Sequence, residues 1–221
     1  METLLDQFFN LEIMRQALPL LLKGLWMTLK LCSAVIVLGL AGGLVVALGN
    51  MSPRRPIRWI SIVYTDLFRA LPPLVLLIFI YSGLPFAGIN ISPFSAVVLA
   101  FLLNNSSYYA EVYRAGLLSV AKGQWEAAAS TGLSRQQALV SVVLPQAIRN
   151  VLPDLLSNTV EVVKLTSLAS VISLSELLYS ANMARSVTYN ASPLVLAALF
   201  YLVLLWPLVR LVSHFQRRLA A

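Results

Sequence analysis

Five long stretches of apolar residues, separated by short polar intervals, dominate the sequence. Each is long enough for a helix to cross the hydrocarbon core of a membrane, which takes about 20 residues. The second stretch exceeds the thickness of a bilayer, so we expect its first part to be interfacial or tilted, and Pro72 and Pro73 to kink it. The pattern predicts an all-α integral membrane protein with five transmembrane helices. Their approximate limits are Leu20–Leu48, Trp59–Leu84, Phe94–Val120, Val151–Ile172 and Pro193–Val212.

Two further segments have a mixed character. Residues 1–18 combine apolar and acidic positions and predict a short amphipathic helix on the membrane surface. The polar segment after the fourth stretch predicts a short helix from Leu174 to Arg185. We therefore divide the chain into an interfacial segment, 1–18, a transmembrane domain, 19–214, and a basic tail, 215–221. The transmembrane domain contains a long polar loop at 122–149.

Composition supports a membrane protein and excludes several other classes. Of the 221 residues, 59% are hydrophobic and only 11% are charged, whereas soluble proteins carry about 25% charged residues. The net charge of +7 is spread over short loops, which indicates membrane topology rather than nucleic-acid binding. One histidine and one cysteine leave no metal-ligand or nucleophile cluster for a membrane enzyme. We expect neither a metal nor a cofactor.

The basic residues predict the orientation of the chain. The loop after the first stretch contains three arginines, and the 122–149 loop contains Lys122, Arg135 and Arg149. The opposite side has an acidic N-terminus and an uncharged loop at 85–93. Because basic loops remain in the cytoplasm, we expect the N-terminus outside, and the C-terminus and the 122–149 loop inside.

The 122–149 loop contains a helix with unusually small side chains. Glu126 precedes three alanines, and Gly132 follows six residues after it. Ala128, Ala129 and Gly132 are expected to form a face that another protein can approach closely. Gly132 is expected to interrupt this helix or to cap its end, and Ser134 to cap the next one.

Charged residues also occur inside the fourth apolar stretch. Glu161 and Lys164 are three residues apart, near its estimated midpoint. An isolated charge there costs about 2.5–3.5 kcal/mol, so both should face the protein interior, where they can pair. The hydroxyls of Thr166 and Ser167 are expected to satisfy backbone groups where the helix loosens.

In the third stretch, Asn104, Ser107 or Tyr108, and Glu111 recur on one helical face. Together with the charged face of the fourth stretch, they are expected to line a pocket for a zwitterionic ligand. Lys164 and the hydroxyls suit a carboxylate, and a glutamate or asparagine suits an ammonium group. A second interpretation remains open, in which these charges are ion pairs that hold helices together.

Several motifs resemble those of the polar-amino-acid permeases of ATP-binding-cassette (ABC) importers. The resemblance covers nearly the whole chain. Two positions depart from the family pattern: Leu165 replaces a usual acidic residue, and Leu76 a usual glutamine. The matching motifs are G-x-x-x-T-L from Gly24, Y-x-x-x-F-R-x-x-P from Tyr64 to Pro72, E-A-A-x-x-x-G from Glu126 to Gly132, the later Leu144-Pro145, and K-x-T-S-L from Lys164.

The resemblance implies a type I importer permease, multi-pass in the cytoplasmic (inner) membrane. Two permease subunits, identical or not, form the pathway; two ATPase subunits bind ATP and Mg²⁺, and a soluble binding protein delivers a polar amino acid, with basic ones among the candidates. This chain lacks a phosphate loop and is not itself an enzyme. The resemblance assigns ATPase coupling to Gln124, Glu126, Ala127, Ala128 and Gly132. The polar faces described above predict a substrate pathway at Asn104, Ser107, Glu111, Glu161, Lys164, Thr166 and Ser167. Gating or structural roles are expected of Arg69, beside the proline kink, and of Pro72 and Pro145.

Two alternatives remain. An importer of an amino-acid derivative, such as an opine, would use the same architecture. A stand-alone secondary transporter would use Glu161 and Lys164 for ion coupling, but it leaves the small-residue helix of the 122–149 loop unexplained.

Overall fold

In a computed structural model of the chain, which describes residues 2–220, the regular elements are all helices. Short 3₁₀ segments at Leu84–Ala87 and Thr166–Ile172 and a π-helical segment at Leu139–Val143 join some of them. The basic tail is helical, although Ala221 and the side chain of Arg218 lie outside the described part. The helices are α1 (Glu2–Phe9), α2 (Leu11–Asn50), α3 (Arg55–Ala70), α4 (Pro73–Gly83), α5 (Pro93–Ser119), α6 (Lys122–Ser130), α7 (Arg135–Ala138), α8 (Leu144–Leu165), α9 (Leu177–Thr188) and α10 (Ser192–Ala220).

The expected surface helix over 1–18 is interrupted at Asn10. The Asn10 side chain accepts a hydrogen bond from the Ile13 backbone N–H (3.1 Å) and donates one to Asp6 Oδ1 (2.6 Å). A side-chain oxygen that binds a backbone N–H three residues later caps a new helix. Only α1 is therefore a separate short helix, and residues 11–18 form the beginning of α2.

The second apolar stretch is broken rather than kinked. Leu71 has an extended backbone (φ −78°, ψ 127°) and Pro73 begins α4. A residue before proline avoids the helical region, and proline is well suited to the first position of a helix. Consecutive prolines at 72 and 73 therefore end one helix and start another.

The fourth stretch is a helix whose hydrogen-bonding pattern changes along its length. Ser134 and Gln137 form a capping box that starts α7, as expected of Ser134. A π-helical segment follows, and Pro145 lies in the first turn of α8. Pro153 lies inside α8. At Thr166 the chain changes to a 3₁₀ helix, so the predicted loosening at the run of hydroxyls is confirmed.

In the described part of the chain, three helices are long and apolar enough to cross a membrane: Leu4–Asn50, Arg135–Ile172 and Ser192–Arg217. The pair α3 and α4 brings the count to four if it is one broken span. Although α5 has 27 residues, it is not among them, because asparagine, serine and tyrosine fill its centre. The fold contains several candidate spans, and the number five and the orientation remain predictions.

The chain forms two compact units. The first consists of Met1–Val37, Pro72–Leu102 and Val160–Val209, and the second of Leu38–Leu71, Leu103–Thr159 and Arg210–Ala221. In the first unit a buried cluster joins α2, α9 and α10 through Leu21, Leu177 and Ala197. In the second a buried cluster at Val120, Val143 and Ala147 lies beside α6.

Candidate functional site

The small-residue helix α6 ends in a Schellman motif. The Leu133 N–H donates to the Ala128 carbonyl (3.2 Å), and the Gly132 N–H to the Ala129 carbonyl (3.0 Å). Gly132 has φ of +81°, a left-handed conformation that glycine adopts without a steric penalty. The predicted role of Gly132 in ending the helix is confirmed.

The accessible face of α6 differs in one residue from the face expected. Ala128 is only 5% exposed and packs within the chain. Gln124, Glu126, Ala127 and Ala129 are exposed. A Cβ atom added to Gly132 would meet nothing within 4 Å. The face that another protein can reach therefore runs along these exposed residues to Gly132, and Ala128 supports it from below.

Two contacts fix α6 to the beginning of α8. Trp125 packs against the cluster that contains Val143 and Ala147. The Gln146 side-chain amide donates to Gln124 Oε1 (3.2 Å) and to the Val142 carbonyl (2.8 Å). These contacts join α6 directly to the start of α8. Sequence reasoning missed Gln146, since nothing in its local pattern indicates its partner 22 residues earlier.

Asn104 and Ser107 are both buried, in the second unit. The Asn104 side chain donates to the Phe68 carbonyl (2.8 Å), and the Ser107 hydroxyl donates to the Asn104 carbonyl (2.6 Å). In a continuous helix the Phe68 carbonyl would accept from residue 72, but Pro72 has no N–H. Asn104 therefore satisfies a carbonyl that the helix break leaves without its usual donor.

Glu111 lies in a network with two arginines. Arg114 binds both of its carboxylate oxygens (3.0 and 2.8 Å), and Arg69 Nη1 lies 3.8 Å from Oε2. The Arg69 guanidinium also lies over the Tyr108 ring, 5.5 Å from its centre. The two arginines and Glu111, with Asn50 and Asp66, line a cavity of about 330 Å³. The network agrees with a structural role for Arg69 and joins α3 to α5.

In the first unit, Glu161 and Lys164 form an ion pair at the end of α8. Lys164 Nζ lies 2.6 Å from Glu161 Oε1, so the expected pairing is present. The Lys164 and Glu161 side chains are, however, 50% and 60% exposed. The expectation that both face the interior of this chain is therefore wrong. An exposed ion pair in a candidate membrane span is costly against lipid, so this face should adjoin water or protein.

The hydroxyls that follow bind the helix backbone. The Ser167 hydroxyl donates to the Lys164 carbonyl (2.7 Å), and the Thr166 hydroxyl to the Val163 carbonyl (2.7 Å). Thr166 is fully buried, with Cys32 Sγ 3.9 Å from its oxygen. Ser167 is partly exposed and lines a groove of about 360 Å³ together with Lys164 and Tyr201.

Glu176, which sequence reasoning did not select, is the most deeply buried acidic group among the described side chains. It is fully buried and caps α9 by accepting from the Leu178 and Tyr179 N–H groups (2.9 and 2.7 Å). The Tyr201 hydroxyl donates to its Oε2 (3.0 Å). Burial raises the pKa of this carboxyl, and the two backbone N–H groups partly oppose that rise. The signal for Glu176 available in the sequence was an acidic residue directly before two leucines.

The geometry around Glu176 explains two residues of the G-x-x-x-T-L motif. The Leu177 N–H donates to the Thr28 hydroxyl oxygen (3.1 Å). A Cβ atom on Gly24 would lie 2.8 Å from the Glu176 carbonyl oxygen. Only glycine permits so close an approach of α2 to the start of α9.

The expected pocket residues belong to separate units. Asn104, Ser107 and Glu111 lie in the second, and Glu161, Lys164, Thr166 and Ser167 in the first. A single pocket formed by both sets remains a prediction.

The similarity to known proteins extends over nearly the whole chain. Residues 39–221 match the model of the binding-protein-dependent transport system inner membrane component family. The chain belongs to this family. The probable amino-acid ABC transporter permease protein YckA of Bacillus subtilis (strain 168) is 34% identical over 212 residues, 96% of this chain and 92% of YckA. The arginine transport system permease protein ArtQ of the same organism is 35% identical over 204 residues, 91% of this chain and 93% of ArtQ.

The fold of this permease also matches a solved structure. The crystal structure of an amino acid ABC transporter with histidines superposes with a TM-score of 0.87 at 39% identity, over 93% of this chain and 96% of that one. The type I importer permease fold is therefore confirmed. The permease is a non-enzymatic transport subunit, and ATP is hydrolysed by a partner ATPase.

Family membership carries two further implications for this permease. It implies ATPase and substrate-binding partners, a second permease subunit and a location in the inner membrane. Permeases of this family do not themselves bind cofactors. Among the described residues no group of three or more histidine, cysteine, aspartate and glutamate side chains could hold a metal ion.

Proposed function

We propose that this permease moves an amino acid into the cytoplasm, using ATP hydrolysed by its partner. The observation that carries the proposal is the exposed Glu161–Lys164 pair in a candidate membrane span. An ammonium and a carboxylate side by side complement the carboxylate and ammonium groups that all α-amino acids share. The names of the relatives support an amino acid as cargo, since they include an arginine and an L-cystine permease.

In this mechanism α6 is the contact with the ATPase. Its exposed residues Gln124, Glu126, Ala127 and Gly132 form the docking face, with Ala128 as the buried support. Closure of the ATPase dimer moves α6, and the Gln124–Gln146 contact passes this movement to α8. The other end of α8 carries Glu161 and Lys164, so the movement changes access to the ion pair.

The remaining predicted site residues have supporting roles in the proposal. Thr166 and Ser167 satisfy carbonyls where α8 loosens, and Ser167 also borders the pathway. Asn104 and Ser107 hold the helix break at Pro72. Glu111 and Arg69 form the network that gates or stabilises α3 against α5, and Pro145 starts α8 after the π-helical segment.

The arrangement in the membrane belongs to the same proposal. We infer five spans, with α5 and the broken pair α3–α4 each counted as one. The N-terminal segment 1–18 lies on the outer side, where α1 follows the membrane surface and residues 11–18 lead into the first span. The domain 19–214 crosses the membrane, and the tail 215–221 is cytoplasmic. The pathway needs a second permease subunit, either a copy of this chain or a homologue, and a binding protein that delivers the amino acid from outside.

Co-purification followed by reconstitution tests the proposal. The C-terminally tagged permease is extracted from native membranes in mild detergent, and its partners are identified by mass spectrometry. We expect a phosphate-loop ATPase, and ATP-dependent uptake of an amino acid by proteoliposomes supplied with the binding protein. A panel that includes opines distinguishes amino acids from their derivatives. Solute transport by the permease alone, without ATP, would instead establish a secondary transporter.

The Gly132→Asp variant tests the docking face. A carboxylate at this exposed position should block close approach of the ATPase and abolish ATP-dependent uptake, while insertion in the membrane is unchanged. Aspartate at φ of +81° is also strained. Gly88→Asp is therefore the matched control, because Gly88 has φ of +78° and open space around it, and lies outside α6. Unchanged uptake by Gly132→Asp would refute the docking role.

A further inference from the structure

The groove beside Lys164 has one charged end and apolar walls. Lys164, which carries the charge, and the Ser167 hydroxyl form the charged end. Leu178 on α9 and Leu194, Ala197, Ala198 and Leu205 on α10 form the walls. Its volume of about 360 Å³ lies in the range of small-molecule sites, about 300–1,000 Å³.

Tyr201 contributes an apolar surface to this groove despite its hydroxyl. That hydroxyl donates to the buried Glu176 Oε2 (3.0 Å). Glu176 also accepts from two backbone N–H groups and is fully buried. The carboxylate is thus committed to α9 and Tyr201 and does not reach a ligand in the groove.

The charged end offers unused hydrogen-bonding capacity. An ammonium group has three N–H donors, and the contact with Glu161 Oε1 occupies one of them. The Ser167 hydroxyl is committed to the Lys164 carbonyl. Lys164 can therefore bind a carboxylate while Glu161 keeps its position beside it, and Glu161 can accept from an ammonium group of the same ligand.

A cationic side chain would find no opposite charge in the walls. Among the described residues that line the groove, Lys164 is the one that carries a charge. The Glu161 carboxylate lies beside Lys164 rather than in the walls, and there it meets the α-ammonium group of the ligand. Leu165, next to Lys164 in the chain, adds no carboxylate. An anionic side chain would have to leave water for apolar walls, which is also unfavourable.

We propose that this groove binds a neutral amino acid with a largely apolar side chain, such as leucine or methionine, with its α-carboxylate on Lys164. This proposal rests on the function proposed above and specifies the side chain. It differs from the basic side chain left open by the sequence resemblance. Binding transfers the side chain from water to the apolar walls, which favours longer apolar chains over alanine.

Direct binding to the purified permease–ATPase complex tests the proposal without the selectivity of the binding protein. We expect leucine and methionine to bind at least about tenfold more tightly than alanine and to exclude arginine and glutamate. Ala198→Trp fills the groove and should lower leucine binding at least tenfold while alanine binding is retained. Val203→Trp is the matched control, since Val203 is exposed on the same helix but does not line the groove.

The possible outcomes separate this proposal from the function proposed above. Tighter binding of arginine or glutamate than of leucine, unaffected by Ala198→Trp, would overturn the apolar groove and leave amino-acid import intact. Lys164→Met should remove binding of all amino acids, and retained leucine binding in that variant would overturn the assigned orientation. Absence of amino-acid uptake by the complete importer would overturn the proposed function itself.

Discussion

Single side chains in this permease compensate for backbone groups that the helices leave unpaired. Asn104 serves the Phe68 carbonyl, whose usual donor is missing at Pro72. Glu176 serves the first N–H groups of α9. Where the fold excludes water such groups have no other partner, so each compensating side chain stabilises the fold. Both residues are visible in the sequence as polar positions among apolar ones. Their partners are not visible there: Asn104 binds a carbonyl 36 residues earlier, and Glu176 binds an N–H two residues later.

Replacement of Asn104 by leucine should lower the stability of the permease. The change leaves the partly buried Phe68 carbonyl without this donor. Loss of the partner of a buried carbonyl costs about 1–3 kcal/mol, which is the upper range expected here. The melting temperature in detergent measures the effect. The Pro72→Ala change restores an N–H to residue 72. In that background, Asn104→Leu should therefore lower the melting temperature less than it does in the unchanged permease. Equal losses in both backgrounds would show that Asn104 does not act on the carbonyl.

At the scale of helices, close crossings depend on glycine. A Cβ atom on Gly43 of α2 would lie 2.5 Å from the Tyr109 Cβ and 3.1 Å from the Ser106 carbonyl oxygen of α5. The glycines of the first apolar stretch indicated close packing in the sequence. The pattern could not identify the partner helix, because helical periodicity describes one helix at a time. The predicted limits of α5, Phe94–Val120, agree with the observed Pro93–Ser119 to within one residue at each end. The predicted helix over 1–18 is wrong, because the Asn10 cap divides it.

Gly43→Ala should therefore destabilise the permease by about 1–3 kcal/mol, the usual cost of an overpacked contact. The matched control is Gly83→Ala, because a Cβ atom on Gly83 would meet nothing within 4 Å. Thermal unfolding of both variants in the same detergent gives the comparison. Similar melting temperatures for the two variants would contradict a close crossing of α2 and α5.

For the whole molecule, the sequence predicted the all-helical membrane fold and the family, and both are confirmed. The reason is physical: a membrane helix needs a long apolar run, and such runs are visible without any tertiary information. Average hydropathy alone does not identify α5 as a span, because its centre contains the polar residues Asn104, Asn105, Ser106 and Ser107. Those residues are buried in the fold, so the average hydropathy of α5 does not describe its surroundings.

Cysteine accessibility tests the orientation of the permease in the membrane. With the buried Cys32 replaced by alanine, single cysteines are introduced at Ile89 and Gln136, both of which are exposed. An impermeant thiol reagent added to intact cells should label Ile89→Cys and not Gln136→Cys. Both should react after the cells are opened. The reverse pattern would contradict an outside N-terminus and a cytoplasmic 122–149 loop.

The continuity of α8 has a mechanical consequence. Helix α8 runs from Leu144 to Leu165, so Gln146 lies near its start and Lys164 near its end. Pro153 lies between them, and proline is a usual position for a helix to bend. If the helix pivots near Pro153, its two ends are displaced in opposite directions. In the mechanism proposed above, a single pivot at Pro153 would then serve both the end of α8 that Gln146 holds and the end that carries Lys164.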